Sequence, residues 1–137
     1  MRLRMGLVAL CLSAGLAAGE GPGVQPIVEV KVTPKTSVFK GSVWNKPLVI
    51  KSQDEAAKHF DKEALEAIAK KVDFKNQMVL LFAWRGSGGD KLEHMILESF
   101  PEQIPFSLRR GLTRDLRTHS RVFALRSDVR WSVKATR

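Results

Sequence analysis

The side chains best equipped for chemistry lie in the last quarter of the chain. Residues 109–121 read Arg-Arg-Gly-Leu-Thr-Arg-Asp-Leu-Arg-Thr-His-Ser-Arg, five arginines and a histidine against one carboxylate. Arginine presents a planar fork of donors that matches phosphate, sulfate or carboxylate, so this stretch is a candidate anion site. Thr113 is placed to cap a short helical turn with Leu112 and Leu116 as its anchors. On such a helix Arg110, Arg114, Arg117 and Arg121 would share a face. The plainer alternative is a solvated loop in which Asp115 pairs with one arginine.

Asp115 and His119 stand four residues apart, close enough on a helix to act as a base and its orienter, with the hydroxyls of Thr118 and Ser120 nearby in sequence. No nucleophile is identifiable beside them, so a hydrolase is an alternative without an assigned catalytic set. The run Gly86-Ser87-Gly88-Gly89 invites comparison with a phosphate-cradling loop. A strand pattern follows it rather than a helix, and the G-x-x-x-x-G-K-[ST] spacing is missing. Ser87 lacks the G-x-S-x-G elbow, because Arg85 occupies the first glycine position. The run is therefore expected to be a hairpin turn with positive φ angles.

His59, His94 and His119 lie 35 and 25 residues apart, without the spacing of a helical metal motif, and no metal or cofactor is expected. His94 keeps phase with Leu92 and Ile96 and reads as half-buried. Trp44, Trp84 and Trp131 each fall inside an apolar pattern, which assigns them to the core rather than to a sugar-stacking surface.

These residues need a scaffold, and the composition supplies one. Apolar residues make up 44% of the 137, enough to bury a core and to exclude wholesale disorder. The single Cys excludes a disulfide framework. Formal charge is +9, with 23 Lys+Arg against 14 Asp+Glu. Residues 20–104 carry 12 of each sign, so beyond Arg2 and Arg4 the excess is confined to residues 105–137.

Residues 1–19 read as a secretory signal peptide, with Arg2 and Arg4 before an apolar run of 12 residues and Ala17-Ala18-Gly19 at the cleavage position. Twelve helical residues cover about 18 Å, short of a membrane core of roughly 30 Å, so no transmembrane span is expected after cleavage. Cleavage near Gly19 would remove Cys11 and place the product in the periplasm or outside the cell. A lipid anchor at Cys11 is an alternative that the large Leu10 before it argues against.

Residues 20–25 are expected to be a flexible leader and residues 26–137 a single domain. Val28, Val30 and Val32 alternate with Glu29 and Lys31 as an edge strand between Pro26 and Pro34. Residues 38–44 and 48–50 are further strand candidates. Ser52 and Glu55 fit a capping box, and Phe60, Ala64, Leu65, Ile68 and Val72 mark one face of a helical segment over residues 53–72, with Asp61 placed to cap a second piece. Residues 78–84 suit a central strand covered on both faces, and residues 92–100 its hairpin partner. Strands follow at 104–108, 122–125 and 129–133. The expected fold class is α+β, a largely antiparallel β-sheet with one helical segment packed on it.

Val72-Asp73-Phe74, the run from Met78 to Trp84 and the paired Gly88-Gly89 together resemble the C-terminal domain of PrcB-type protease-complex subunits, over about residues 48–133. The resemblance implies a small antiparallel β fold and a non-catalytic, interaction-type role in exported bacterial proteins. It carries over no catalytic residue. Asp90-Lys91 departs from the family, where an aromatic often follows the paired glycines. The expected function is an exported, non-enzymatic binding or accessory module acting through its surface. Its expected partner is an envelope protein or, in the alternative reading, an anionic polymer or lipid headgroups held by the arginine stretch; nucleic acid is not expected.

Overall fold

The computed structural model describes residues 25–134; the expected signal segment and residues 20–24 of the leader lie outside the described residues. In chain order the strands are β1 (Ile27–Glu29), β2 (Leu48–Ile50), β3 (Gln77–Gly86), β4 (Lys91–His94), β5 (Gln103–Arg109), β6 (Arg117–Arg126) and β7 (Arg130–Val133). The helices α1 (Gln53–Ala56) and α2 (Lys62–Lys71) lie between β2 and β3. The fold is α+β and sheet-dominated.

The long apolar run at β3 takes the centre, where both faces of a strand are covered. It pairs with β2 on one side and along its whole length with β6 on the other, in a four-stranded antiparallel sheet of order β1-β6-β3-β2. Alternate side chains of β3 then serve two cores. Leu80, Phe82 and Trp84 join Phe123 and Leu125 of β6 against a second sheet, whose Leu92, Ile104, Phe106 and Leu108 face them. Val79 and Leu81 join Val122 and Ala124 against the helices, which contribute Ala56, Ala64 and Ile68. The layers are helices, first sheet and second sheet.

Both helices start on capping side chains. Ser52 Oγ accepts the Glu55 amide at 3.1 Å, and Asp61 Oδ1 accepts that of Ala64 at 3.2 Å. The return arm of the first cap lands one residue early, with Glu55 Oε2 accepting the Lys51 amide at 2.9 Å. The helical segment is thus two pieces joined at Asp61.

Several expectations are corrected. Residues 38–44 form no strand: Thr36–Phe39 is a 3-10 turn, and Gly41 has φ +68° where a bulge was expected. This compact turn lets Phe39 and Trp44 both be buried, which outweighs the β preference of Val38 and Val43. At the edge strand β1, Ile27 and Val30 are buried, one in each core, while Val28 is exposed.

The larger correction is that β3 and β4 form no hairpin. β4 belongs to the second sheet, ordered β4-β5-β7, in which β5 and β7 run parallel. The turn between β3 and β4 is therefore a crossing between sheets. β4 also stops at His94, leaving Met95, Ile96 and Leu97 exposed before a lone bridge at Leu97 and Gln103.

Candidate functional site

The chain passes from the first sheet to the second through residues 87–90 and returns through residues 110–116. The two crossings meet back to back, and this junction holds most of the residues singled out for chemistry. A Cβ on Gly111 would stand 2.7 Å from the Asp90 nitrogen and nearer still to Gly89. Gly89 in turn has the Gly111 Cα 3.2 Å from where its own Cβ would be. The glycines serve this close approach. The expected positive φ angles are not found at residues 86–89; among the described glycines only Gly41 has one.

A polar clasp joins the crossings. Asp90 is only 8% exposed and accepts both the Trp84 indole N–H at 3.2 Å and the Gly111 amide at 2.8 Å. Ser87 Oγ and Thr113 Oγ1 are hydrogen-bonded at 2.6 Å. Asp115 accepts the Gly88 amide at 3.0 Å, the Thr113 hydroxyl, and Arg117 Nε at 2.6 Å. The Thr113 hydroxyl and then the Gly88 amide, aided by Arg117, hold the Asp115 carboxyl down at about 2. His119 stacks on Trp84 with ring centroids 4.9 Å apart, and its Nε2 meets the Ser87 carbonyl at 2.8 Å.

The arginine stretch is not helical. Residues 110–116 contain no helix, turn or bend, and β6 begins at Arg117. Thr113 caps no helix, because its hydroxyl is spent on Ser87 and Asp115. The four candidate arginines consequently share no helical face and divide into two pairs. Arg121 lies inside the rim of the second-sheet core, bonded to both Glu29 carboxylate oxygens and to the Leu92 carbonyl, with its guanidinium 5.1 Å from the Phe123 ring. Arg117 is tied to Asp115. Arg110 and Arg114 remain exposed on the crossing and, among the described residues, bond to no carboxylate.

Asp115 and His119 make no bond to each other: the carboxylate is held by the crossing, while the imidazole lies on the indole and meets a backbone carbonyl. Thr118 and Ser120 are side chains of β6. Ser87, whose carbonyl meets His119, directs its Oγ to Thr113 instead. The arrangement braces two loops, with no proton relay from carboxylate through imidazole to hydroxyl.

His94 is exposed rather than half-buried, at the rim where its ring lies 5.4 Å from Phe123 and 5.8 Å from Phe106. Its pKa is lowered from 6.5, first by desolvation against these rings and then by Arg121, with Glu29 opposing. Among the described residues no cluster of three or more His, Cys, Asp or Glu is placed to hold a metal ion. No described helix is long and apolar enough to cross a membrane. Trp44 and Trp84 are core residues, and Trp131 packs against the same cluster.

Sequence reasoning missed Asp90, the acceptor that fixes Trp84 and Gly111 together. The available signal was the indole N–H of a Trp assigned to the core, which requires a buried acceptor. No family model, curated protein or solved structure matches this chain, so the site is read from its own geometry.

Proposed function

We propose that this protein is a non-enzymatic binding module, exported by its leader, that engages an anionic partner with the outward side of residues 110–116. One observation carries this reading. Arg110 and Arg114 are exposed and bonded to no carboxylate among the described residues, while nearby acids are engaged elsewhere: Asp90 with Trp84 and Gly111, Glu93 with Arg109, and Asp115 with Arg117. The two guanidinium groups keep their donors for a ligand, on a backbone the clasp already holds in place. Arg121 is given to Glu29 and serves the fold, so the anion site is Arg110 and Arg114, with Arg117 at its border.

The test is retention on an immobilised polyphosphate across a salt gradient. Retention should weaken steeply as salt rises, as expected when cations on the protein displace counterions from the polymer. Arg110→Gln with Arg114→Gln should elute much earlier. Lys70→Gln with Lys71→Gln, removing equal charge from the far end of α2, should elute close to the unaltered protein. Equal shifts for the two pairs would reduce the effect to net charge and refute the site.

A further inference from the structure

We propose that the outward side of residues 110–116 is a bilayer-surface anchor, in which Leu112 and Leu116 enter the acyl boundary of an anionic membrane while Arg110 and Arg114 hold its lipid phosphates. This rests on the anion-binding reading above and adds the class of partner.

Gly111 donates its amide to Asp90, Thr113 bonds Ser87, and Asp115 accepts the Gly88 amide, so every second residue is tied to the facing crossing, Thr113 and Asp115 at its exposed edge. In an extended chain the residues between them face the other way. Those are Arg110, Leu112, Arg114 and Leu116, all exposed, with Leu112 at 98% and Leu116 at 73%. At about 3.3 Å per residue when fully extended, these four side chains form a ridge at most about 20 Å long.

An alternating Arg-Leu ridge matches the layering of a lipid surface. Phosphates lie outermost and acyl chains a few ångströms deeper, and arginine's long apolar stem lets its head remain at the phosphate level while a neighbouring leucine descends. Specific protein interfaces are anchored chiefly by aromatic residues and Arg seated in pockets, with Leu under-represented among the anchors. The ridge has no aromatic, its neighbour Trp84 is buried, and its apolar groups are leucines. A bilayer needs no concave counterpart. It asks only for apolar groups that project freely and cations that no described residue pairs, and the ridge has both. The clasp fixes the backbone beforehand, so little ordering is required on binding. Two leucines and two arginines make a weak, reversible and salt-sensitive anchor.

The experiment is co-sedimentation of the full chain with large vesicles, either neutral phosphatidylcholine or phosphatidylcholine mixed with phosphatidylglycerol. The protein should sediment with the mixed vesicles and remain in solution with the neutral ones. Leu112→Ser with Leu116→Ser should lower partitioning at least about tenfold, the scale of withdrawing leucine surface from the apolar phase. Polyphosphate retention should be unchanged in that variant. Leu112→Trp should show a blue shift of indole emission on the mixed vesicles alone.

If the serine variant sediments like the unaltered protein, the anchor is refuted while polyphosphate retention still supports the anion site. Loss of vesicle binding and polyphosphate retention alike in the unaltered chain refutes both. A leucine-dependent dimer, or leucine-dependent capture of an acidic protein without vesicle binding, also overturns the anchor. Because both leucines are solvent-exposed, the serine variant should retain the circular dichroism of the parent.

Discussion

A buried indole leaves one polar hydrogen that must find an acceptor, and Asp90 answers that need for Trp84. Its second oxygen takes the Gly111 amide, so the same carboxylate joins a core side chain to the returning loop. Asp115 plays the matching part at the exposed end of the clasp. Hydrogen bonds to its charged form lower the folded pKa from 3.8 to about 2. For a depressed carboxylate the linkage has one sign: the stabilisation is fully present above 3.8 and is lost as pH falls towards about 2. The Gly88 amide resonance, read by NMR, should therefore titrate with a midpoint near about 2. Asp115→Asn should abolish that titration. A Gly88 midpoint at the ordinary 3.8 would show that the carboxylate is not held by these bonds.

At the scale of elements, the outcome turns on where backbone and side-chain polar groups find partners. Arg and Leu are good helix formers, and the spacing of residues 109–121 suits a helix. The segment forms no helix because its alternate residues have tertiary partners on residues 87–90, and because β6 continues from it into a full ladder with β3. The capped starts at Ser52 and Asp61 needed no such help, since each cap satisfies an amide three residues along the same chain. The back-to-back crossing at Gly89 and Gly111 leaves no room for a methyl group. Gly111→Ala should cost roughly 1–3 kcal/mol, the usual range for overpacking. It should appear as a lower urea midpoint with an unchanged slope. An unshifted midpoint would mean that the crossing opens without cost.

Across the whole molecule, one four-stranded sheet separates two cores. Ile104 lies in the core shared with the second sheet and Ile68 in the core shared with the helices. Ile104→Val and Ile68→Val should each cost roughly 0.5–1.5 kcal/mol. Together they should add to within about 0.5 kcal/mol, because no side chain is shared between the sites. Urea unfolding of the singles and the double measures this, and a larger coupling would show that the central sheet transmits strain between its faces.

What the sequence determined by itself was local. The amphipathic face from Phe60 to Val72, the caps, the buried strand at β3 and the burial of Ile104, Phe106 and Leu108, though not that of Pro105 between them, follow from periodicity and hydrogen bonds within a few residues. The α+β class and the central place of β3 were legible on the same grounds. The assignment of β4 to a second sheet was not, nor was the parallel pairing of β5 with β7, because a strand's pattern records which faces are buried and not which strand lies beside it. The candidate site divides the same way. Its arginines were visible as a run of charge, but only the tertiary structure gave Arg121 to Glu29, left Arg110 and Arg114 outward, and set Asp90, Ser87 and Gly88 against residues 111–115. Those contacts join residues at least 21 positions apart, beyond the reach of any local rule.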